Sequence, residues 1–268
     1  MLFRKSYYYI ALLIFISVLL LLYCRFSLRE QEIEEIREKE LKEEILLPYP
    51  ELKGKMSVEE AISRRRSVRN YLDKPLSLRQ LSQILWAAQG ITDTERGFRA
   101  APSAGATYPL QIYVVIGSRC IYINESCYLE AGVYKYIPNK HSLILIKRGD
   151  LRKNLASAAL GQAWVSMAPI NIVITANYER TTSAYGERGI RYVHIEVGHV
   201  GQNIYLQATS LGLGTVAVGA FHDDLVRKII SAPNNESPLY IMPIGAVSKL
   251  HELKKRDLID YYKRNRRD

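Results

Sequence analysis

The sequence predicts an α+β domain behind one apolar N-terminal segment. Three observations carry this. Two capping-box signatures place helices ahead of any strand, and the apolar strand runs that follow alternate with further helix-spaced segments. One stretch reads as a hairpin, which a doubly wound parallel sheet would not contain.

Taken in order, the first element is SYYYIALLIFISVLLLLYC, Ser6 to Cys24, uncharged over roughly the length a helix needs to cross a bilayer. Tyr7, Tyr8, Tyr9 and Tyr23 stand at its ends, where interfacial aromatics belong. A cleaved signal peptide is the rival reading. The length of the run and the lack of a small-x-small site around Tyr23-Cys24-Arg25 favour a retained anchor. Residues 1–6 are therefore a tail and residues 7–24 a single transmembrane helix, with the membrane as its partner. Arg4 and Lys5 on one side balance Arg25 and Arg29 on the other, so the orientation stays open. Residues 25–55, rich in Glu, Lys and Arg, read as a solvated helical stalk that Pro48 and Pro50 end. Uneven spacing of Leu28, Ile33, Ile36, Leu41 and Ile45 argues against a coiled coil.

The globular domain, 56–268, opens near Met56. Ser57 with Glu60 caps a first helix, and Ser77 with Gln80 caps a second that Gly90 stops. Next come the small residues Ala101 to Ala106 and the strand PLQIYVVIG. A hairpin-like region follows from Cys120 to Lys147. One helix covers DLRKNLASAALGQAWVSMA before the strand PINIVITAN. Another covers RYVHIEVGHVGQNIYLQATSLG before the strand TVAVGAF. His222 with Asp223 and Asp224 caps DLVRKII, and LYIMPIGAV is the closing strand.

At 268 residues, 48% apolar and 24% charged, the chain has material for one core plus attachments. Its formal charge of +10 is local, concentrated in Arg64, Arg65, Arg66 and Arg69 and again from Lys254 to Arg267. With no RNP motif, helix-turn-helix or aromatic platform, nucleic acid is not the expected partner. Cys24, Cys120 and Cys127 are odd in number and lack a CxxC, which indicates neither a disulfide framework nor a zinc site. Cys120 and Cys127 could face each other across the hairpin.

Gly212-Leu213-Gly214-Thr215-Val216-Ala217 fits G-x-G-x-x-A, but a dinucleotide fingerprint must follow a strand and open a helix, and here the order is reversed. His194 and His199 are five apart, on different sides of a helix, and no G-x-S-x-G surrounds Ser103. No protein-borne nucleophile or acid–base pair emerges, so a bound cofactor would do the chemistry of an enzyme built this way. The cluster RRRSVR allows two readings, a solvated face or an arginine fork for a phosphate around Ser67. The small turn lets backbone approach a helix, a second subunit or a flat ligand.

With Arg65, Ser67 and Arg69, the turn Pro102-Ser103-Ala104-Gly105 and the stretch LGLGTVAVGAF in this order, the chain resembles the FMN-dependent nitroreductase family. Within it, PSAGATYPLQIYVV, GVYKYIPNKHSL, YGERGIRYVHIEVGHVGQNIYLQATSLGLGTVAVGAFHDD and MPIG resemble the azoline oxidase-like dehydrogenase branch. The likeness runs from about Ser57 to Gly245 and implies a nitroreductase-like α+β fold, a mixed or antiparallel central sheet flanked by helices. It also implies an intertwined homodimer with FMN held noncovalently at the interface.

By this resemblance Arg65, Ser67 and Arg69 hold the FMN phosphate and ribityl chain. Pro102, Ser103, Ala104 and Gly105, commonly supplied by the other subunit, lie against the isoalloxazine. Leu213, Gly214, Thr215 and Val216 line its opposite edge, with Gln162 near the ring. Lys254 and Arg256 match, by spacing, a Lys-x-Arg pair used against the phosphate. The implied activity is ping-pong hydride transfer on the flavin, from NAD(P)H or an organic donor to an acceptor such as a nitro compound, quinone or azoline, with no catalytic side chain. The alternative is a non-enzymatic flavin- or ligand-binding accessory protein with the same fold.

Overall fold

The computed structural model describes residues 44–266, together with positions 19, 20, 23, 25–27 and 29, which are helical. The chain divides into two compact units, Met1–Glu43 and Glu44–Asp268. Among the described residues no helix is long and apolar enough to cross a membrane. The apolar run read as an anchor and the first part of the stalk lie mostly outside the described residues.

The second unit opens on a strand. β1 (Glu44–Leu46) pairs antiparallel with β6 (Ser142–Arg148), where the charge pattern suggests the last residues of a helical stalk. Cross-strand contacts decide the matter, because Ser142 donates to Glu44 at 2.7 Å and Lys140 to the same carboxylate at 3.0 Å.

Both capping signatures form helices. Ser57 accepts from Glu60 N at 3.2 Å to start α1 (Val58–Arg64). Ser77, at the end of the short strand β2 (Leu76–Ser77), makes both arms of a capping box with Gln80 to start α2 (Leu78–Gln89).

The main sheet has seven strands in the order β1-β6-β5-β3-β7-β9-β8, each neighbouring pair antiparallel. Its remaining members are β3 (Leu110–Ile116), β5 (Gly132–Ile137), β7 (Ile170–Ala176), β8 (Leu213–Thr215) and β9 (Ser237–Ala246). β2 forms a separate parallel pair with β4 (Ile121–Tyr122). Helices cover both faces, so the inner strand β7 is buried along its whole length, Asn171 and Thr175 included. On one face Tyr113, Val115, Val173 and Ile241 join Leu155, Val165 and Val226 from α3 (Arg152–Ala158), α4 (Ala163–Met167) and α7 (Asp223–Ile229). Elsewhere α2 packs on the 23-residue α6 (Arg188–Ser210), their buried stripes including Leu81, Ile84 and Leu85 and Val193, Val197 and Val200.

Three further features depart from the sequence expectation. The helix expected from Asp150 to Ala168 is broken into α3 and α4, because Leu160 and Gly161 turn left-handed at φ 57° and 74°. A short helix, α5 (Glu179–Tyr185), precedes α6. The strand TVAVGAF shortens: the β8–β9 ladder pairs Thr215 with Ile244 and resumes at Val218 with Ile241. It opens between them because Ala217 N donates to the Tyr205 hydroxyl instead, at 2.8 Å. Cys120 and Cys127 are both free and are not opposite each other, since Cys127 faces Ile123 across the hairpin. The basic C-terminal run is a helix, α8 (Lys255–Asn265).

Candidate functional site

Two groups of residues stand at different levels of α6. The first forms where α1 ends. Arg65 caps α1, its N–H bonded to Ala61 O at 3.0 Å, and the chain then extends beside β8: Ser67 bridges Thr215, and Val68 N donates to Thr215 O at 2.9 Å. The Ser67 hydroxyl lies 3.1 Å from the Tyr205 hydroxyl, whose oxygen already accepts from Ala217 N.

The arginine cluster divides by role. Arg64 pairs with Glu60 at 2.8 Å, and Arg66 folds back onto the carbonyls of Ser63 and Arg65. Arg65 instead lies over the Tyr205 ring at 5.2 Å, and Arg69 over the Trp164 ring at 5.4 Å. Stacking fixes these two cations without consuming their N–H donors. Among the described residues neither Arg65 nor Arg69 is paired with a carboxylate.

Two buried polar atoms in this corner lack a partner in the protein, Thr215 Oγ1 and Trp164 Nε1. Gly214 is a glycine for space: a Cβ there would stand 2.8 Å from Val68 Cβ and 2.6 Å from Val247 Cγ1. A flat anionic group fits this donor set, with two unpaired guanidinium groups, a serine hydroxyl and an orphaned threonine oxygen on one corner.

The second group is the small turn. Ala104–Ala106 form one 3₁₀ turn, and left-handed backbone at Gly105 (φ 57°), Ala106 (φ 52°) and Tyr108 (φ 44°) wraps it. Ser103 Oγ accepts from Tyr108 N at 2.9 Å, and Thr107 Oγ1 donates to Ala104 O at 3.0 Å. A Cβ on Gly105 would come within 2.5 Å of the Tyr185 hydroxyl, so a glycine is required there on two counts.

Beneath the turn lies a buried polar chain. Glu196 of α6, 3% exposed, accepts from Gln89 Nε2 at 3.4 Å and bonds Ser103, while Gln89 Oε1 accepts from Arg99 at 3.2 Å. Arg99 also stacks on Tyr108 at 4.4 Å. Burial pushes the Glu196 carboxyl above its usual range, against the pull of Ser103, Gln89 and Arg99. Burial and the neighbouring Arg180 lower the affinity of Arg99 for its proton.

The structure thus brings Arg65, Ser67 and Arg69 together with Gly214 and Thr215. Gln162 stands nearby, two residues before Trp164, with its amide committed to Ala159 O and Ala220 O at 2.9 Å each. Leu213 and Val216 are buried, and Val216 belongs to the core cluster, so it has only backbone to offer a ligand. Pro102, Ser103, Ala104 and Gly105 form the separate second group. Glu196 and Tyr205 are nine residues apart on α6, about 14 Å along its axis. Lys254 and Arg256 join neither group; they lie exposed at the start of α8, with Arg256 facing Asp260 at 3.8 Å. The sequence reading missed Tyr205, Trp164, Arg99 and Glu196. Glu196 alone left a signal, a carboxylate set between Val193, Val197 and Val200 on the apolar stripe of the helix.

A model of the nitroreductase family matches residues 62–246. A Methanocaldococcus jannaschii relative, named for the nitroreductases, is 54% identical over 202 residues, covering 75% of this chain and 96% of its own. The trifolitoxin operon protein TfxC of Rhizobium leguminosarum is 27% identical over 69% of this chain, which spans about half of that relative (54%). A solved Ralstonia eutropha structure described as a nitroreductase superposes with a TM-score of 0.66 at 30% identity, over 77% of this chain and 90% of that one. More distantly, an FMN reductase [NAD(P)H] of Bacillus subtilis is 24% identical over 70% of this chain and 62% of its own length.

Proposed function

The chain belongs to the nitroreductase family, and from that premise we propose that it is a membrane-held, FMN-dependent oxidoreductase acting as a homodimer. The observation that carries the proposal is the corner where Arg65 and Arg69 stand without carboxylate partners beside the orphaned Thr215 Oγ1.

In this reading Arg65, Ser67 and Arg69 hold the phosphate and ribityl chain. The cations are fixed in advance on Tyr205 and Trp164, so little ordering cost is left for binding. Gly214 and Thr215 approach the ring with backbone and hydroxyl, and Gln162 stands at its margin. Bound FMN would supply the hydride chemistry, with NAD(P)H or an organic substrate as donor and a nitro compound, quinone or azoline as acceptor. The Ser103–Gly105 turn gives a flat surface for the ring, kept rigid by Glu196, Gln89 and Arg99. In this reading each site takes its turn from the partner subunit, as the resemblance implies, with turn and arginine corner at different levels of α6, where Glu196 and Tyr205 are about 14 Å apart along the axis. The exposed Tyr185, Ile190 and Ile195 around that end of the helix supply apolar surface for the dimer. Residues 7–24, with Ser6, form the uncharged run that holds the enzyme at the membrane.

The visible spectrum of the purified protein tests this directly. Flavin absorption that bleaches with reduced nicotinamide or dithionite and returns with a quinone or nitroaromatic supports the reading. A colourless protein that takes up no added FMN refutes it, and bound flavin that no reductant bleaches would leave a binding protein without the activity.

A further inference from the structure

Helix α8, Lys255–Asn265, contains no buried residue. At 100° per residue Leu258, Ile259, Tyr261 and Tyr262 fall within one arc of about 160°. Three of them are 41–55% exposed, so the domain leaves this apolar face uncovered. Lys263, Arg256 and Arg264 stand on the other side, with Asp260 between them and Asp257 at their edge; Lys254, Lys255 and Arg266 lie at the two ends of the helix, Lys255 and Arg266 on the apolar side. The Arg266 guanidinium lies over the Tyr262 ring at 5.5 Å. The match to the nitroreductase family model covers residues 62–246, and α8 lies C-terminal to it.

We propose that α8 is a docking helix for an anionic lipid surface, lying in the plane of the membrane with Leu258, Ile259, Tyr261 and Tyr262 in the headgroup layer. The combination of charge and apolarity selects this occupant. Nucleic acid would satisfy the cations but leave Leu258 and Ile259 uncovered. A second α8 laid against this one would cover them, but it would bring Lys255 and Arg266 of the two copies together. An anionic bilayer takes both, with tyrosines at headgroup level and Lys and Arg stems reaching up to the phosphates. At eleven residues α8 is too short to span a bilayer. The inference is independent of the N-terminal anchor.

The test uses full-length protein carrying Tyr262→Trp, its fluorescence read as a difference from the parent. It is mixed with vesicles of phosphatidylcholine alone or of equal parts phosphatidylcholine and phosphatidylserine, with and without brominated acyl chains. The expected result is a blue-shifted, bromine-quenched signal from the introduced indole in the anionic vesicles, weak in the neutral ones and reversed by high salt. Adding Lys263→Glu, Arg264→Glu and Arg266→Glu together in the same background, all at exposed positions, should weaken the response roughly 100-fold. An indole signal that stays water-like in both vesicles overturns the proposal, as does a shift that follows protein concentration rather than lipid charge, the mark of docking on another copy. Whether the protein sediments with both vesicle types reports the N-terminal anchor separately.

Discussion

Towards the C-terminal end of α6, the arginine corner is assembled from a short motif and the strand beside it. Towards the N-terminal end, the small turn depends on side chains drawn from α2, Arg99 and α6 itself. The corner keeps cations free and polar atoms unpartnered, as a place that expects a ligand does; the turn has its polar atoms satisfied from below and offers a bare surface above. In the proposed reading one region binds and the other supports, and substitutions should separate the two roles.

The largest separation is expected from Arg65→Ala with Arg69→Ala. Each lost charge-assisted contact is worth about 2 kcal/mol, so FMN affinity should fall roughly 1000-fold while the melting temperature of the flavin-free protein stays put. Equilibrium dialysis and thermal melts read the two quantities. Gly214→Val sits at the same corner but should damage the fold as well, by about 3 kcal/mol, because the new side chain overlaps Val68 and Val247. Urea titration of the flavin-free protein would show it, and an unchanged midpoint would mean the strand has room.

At the turn, Glu196→Ala leaves Gln89 and Ser103 without their acceptor and Arg99 without a facing carboxylate. It should cost about 2 kcal/mol of stability, without touching Arg65 or Arg69. Glu196→Gln has a different signature. Because burial raises the carboxyl's pKa in the fold, its contribution to stability is complete below the unfolded value of 4.5 and is lost as pH rises through the raised folded value. The glutamine variant should therefore gain on the parent as pH rises from about 4 to about 8, which a series of melts would follow.

The smallest effect belongs to His141, outside both regions. It is held between Tyr136, Ser82 and the Pro48 carbonyl at 2.7–3.1 Å, and burial lowers its pKa from the usual 6.5. Stability from a neutral His141 is present above pH 6.5 and is lost as pH falls through the depressed value. The parent should lose stability below pH 6.5 where His141→Gln does not, and parallel pH curves would contradict this.

What could be read from the chain divides along the same line. Ser57 and Ser77 announced their helices because a cap is a local contact, and Arg65, Ser67 and Arg69 announced the corner because three of its donors lie within five residues. Tyr205 and Trp164 were hidden, since each meets its arginine only after the chain has folded over a hundred residues or so. Glu44–Leu46 read as stalk because its charges are ordinary for a solvated helix, and only Ser142 and Lys140 across the sheet explain the strand. Helix α8 showed its charge in the sequence and not its exposed apolar face.

The central claim, that arginine corner and turn meet across a subunit interface, is tested most directly by counting flavin in a mixed dimer. One protomer carries Arg65→Ala with Arg69→Ala, the other Gly105→Trp, and the pair is isolated through two different affinity tags. Each parent homodimer should be empty, and the mixed dimer should hold a single flavin at its one intact site. A mixed dimer as empty as both homodimers would contradict the account.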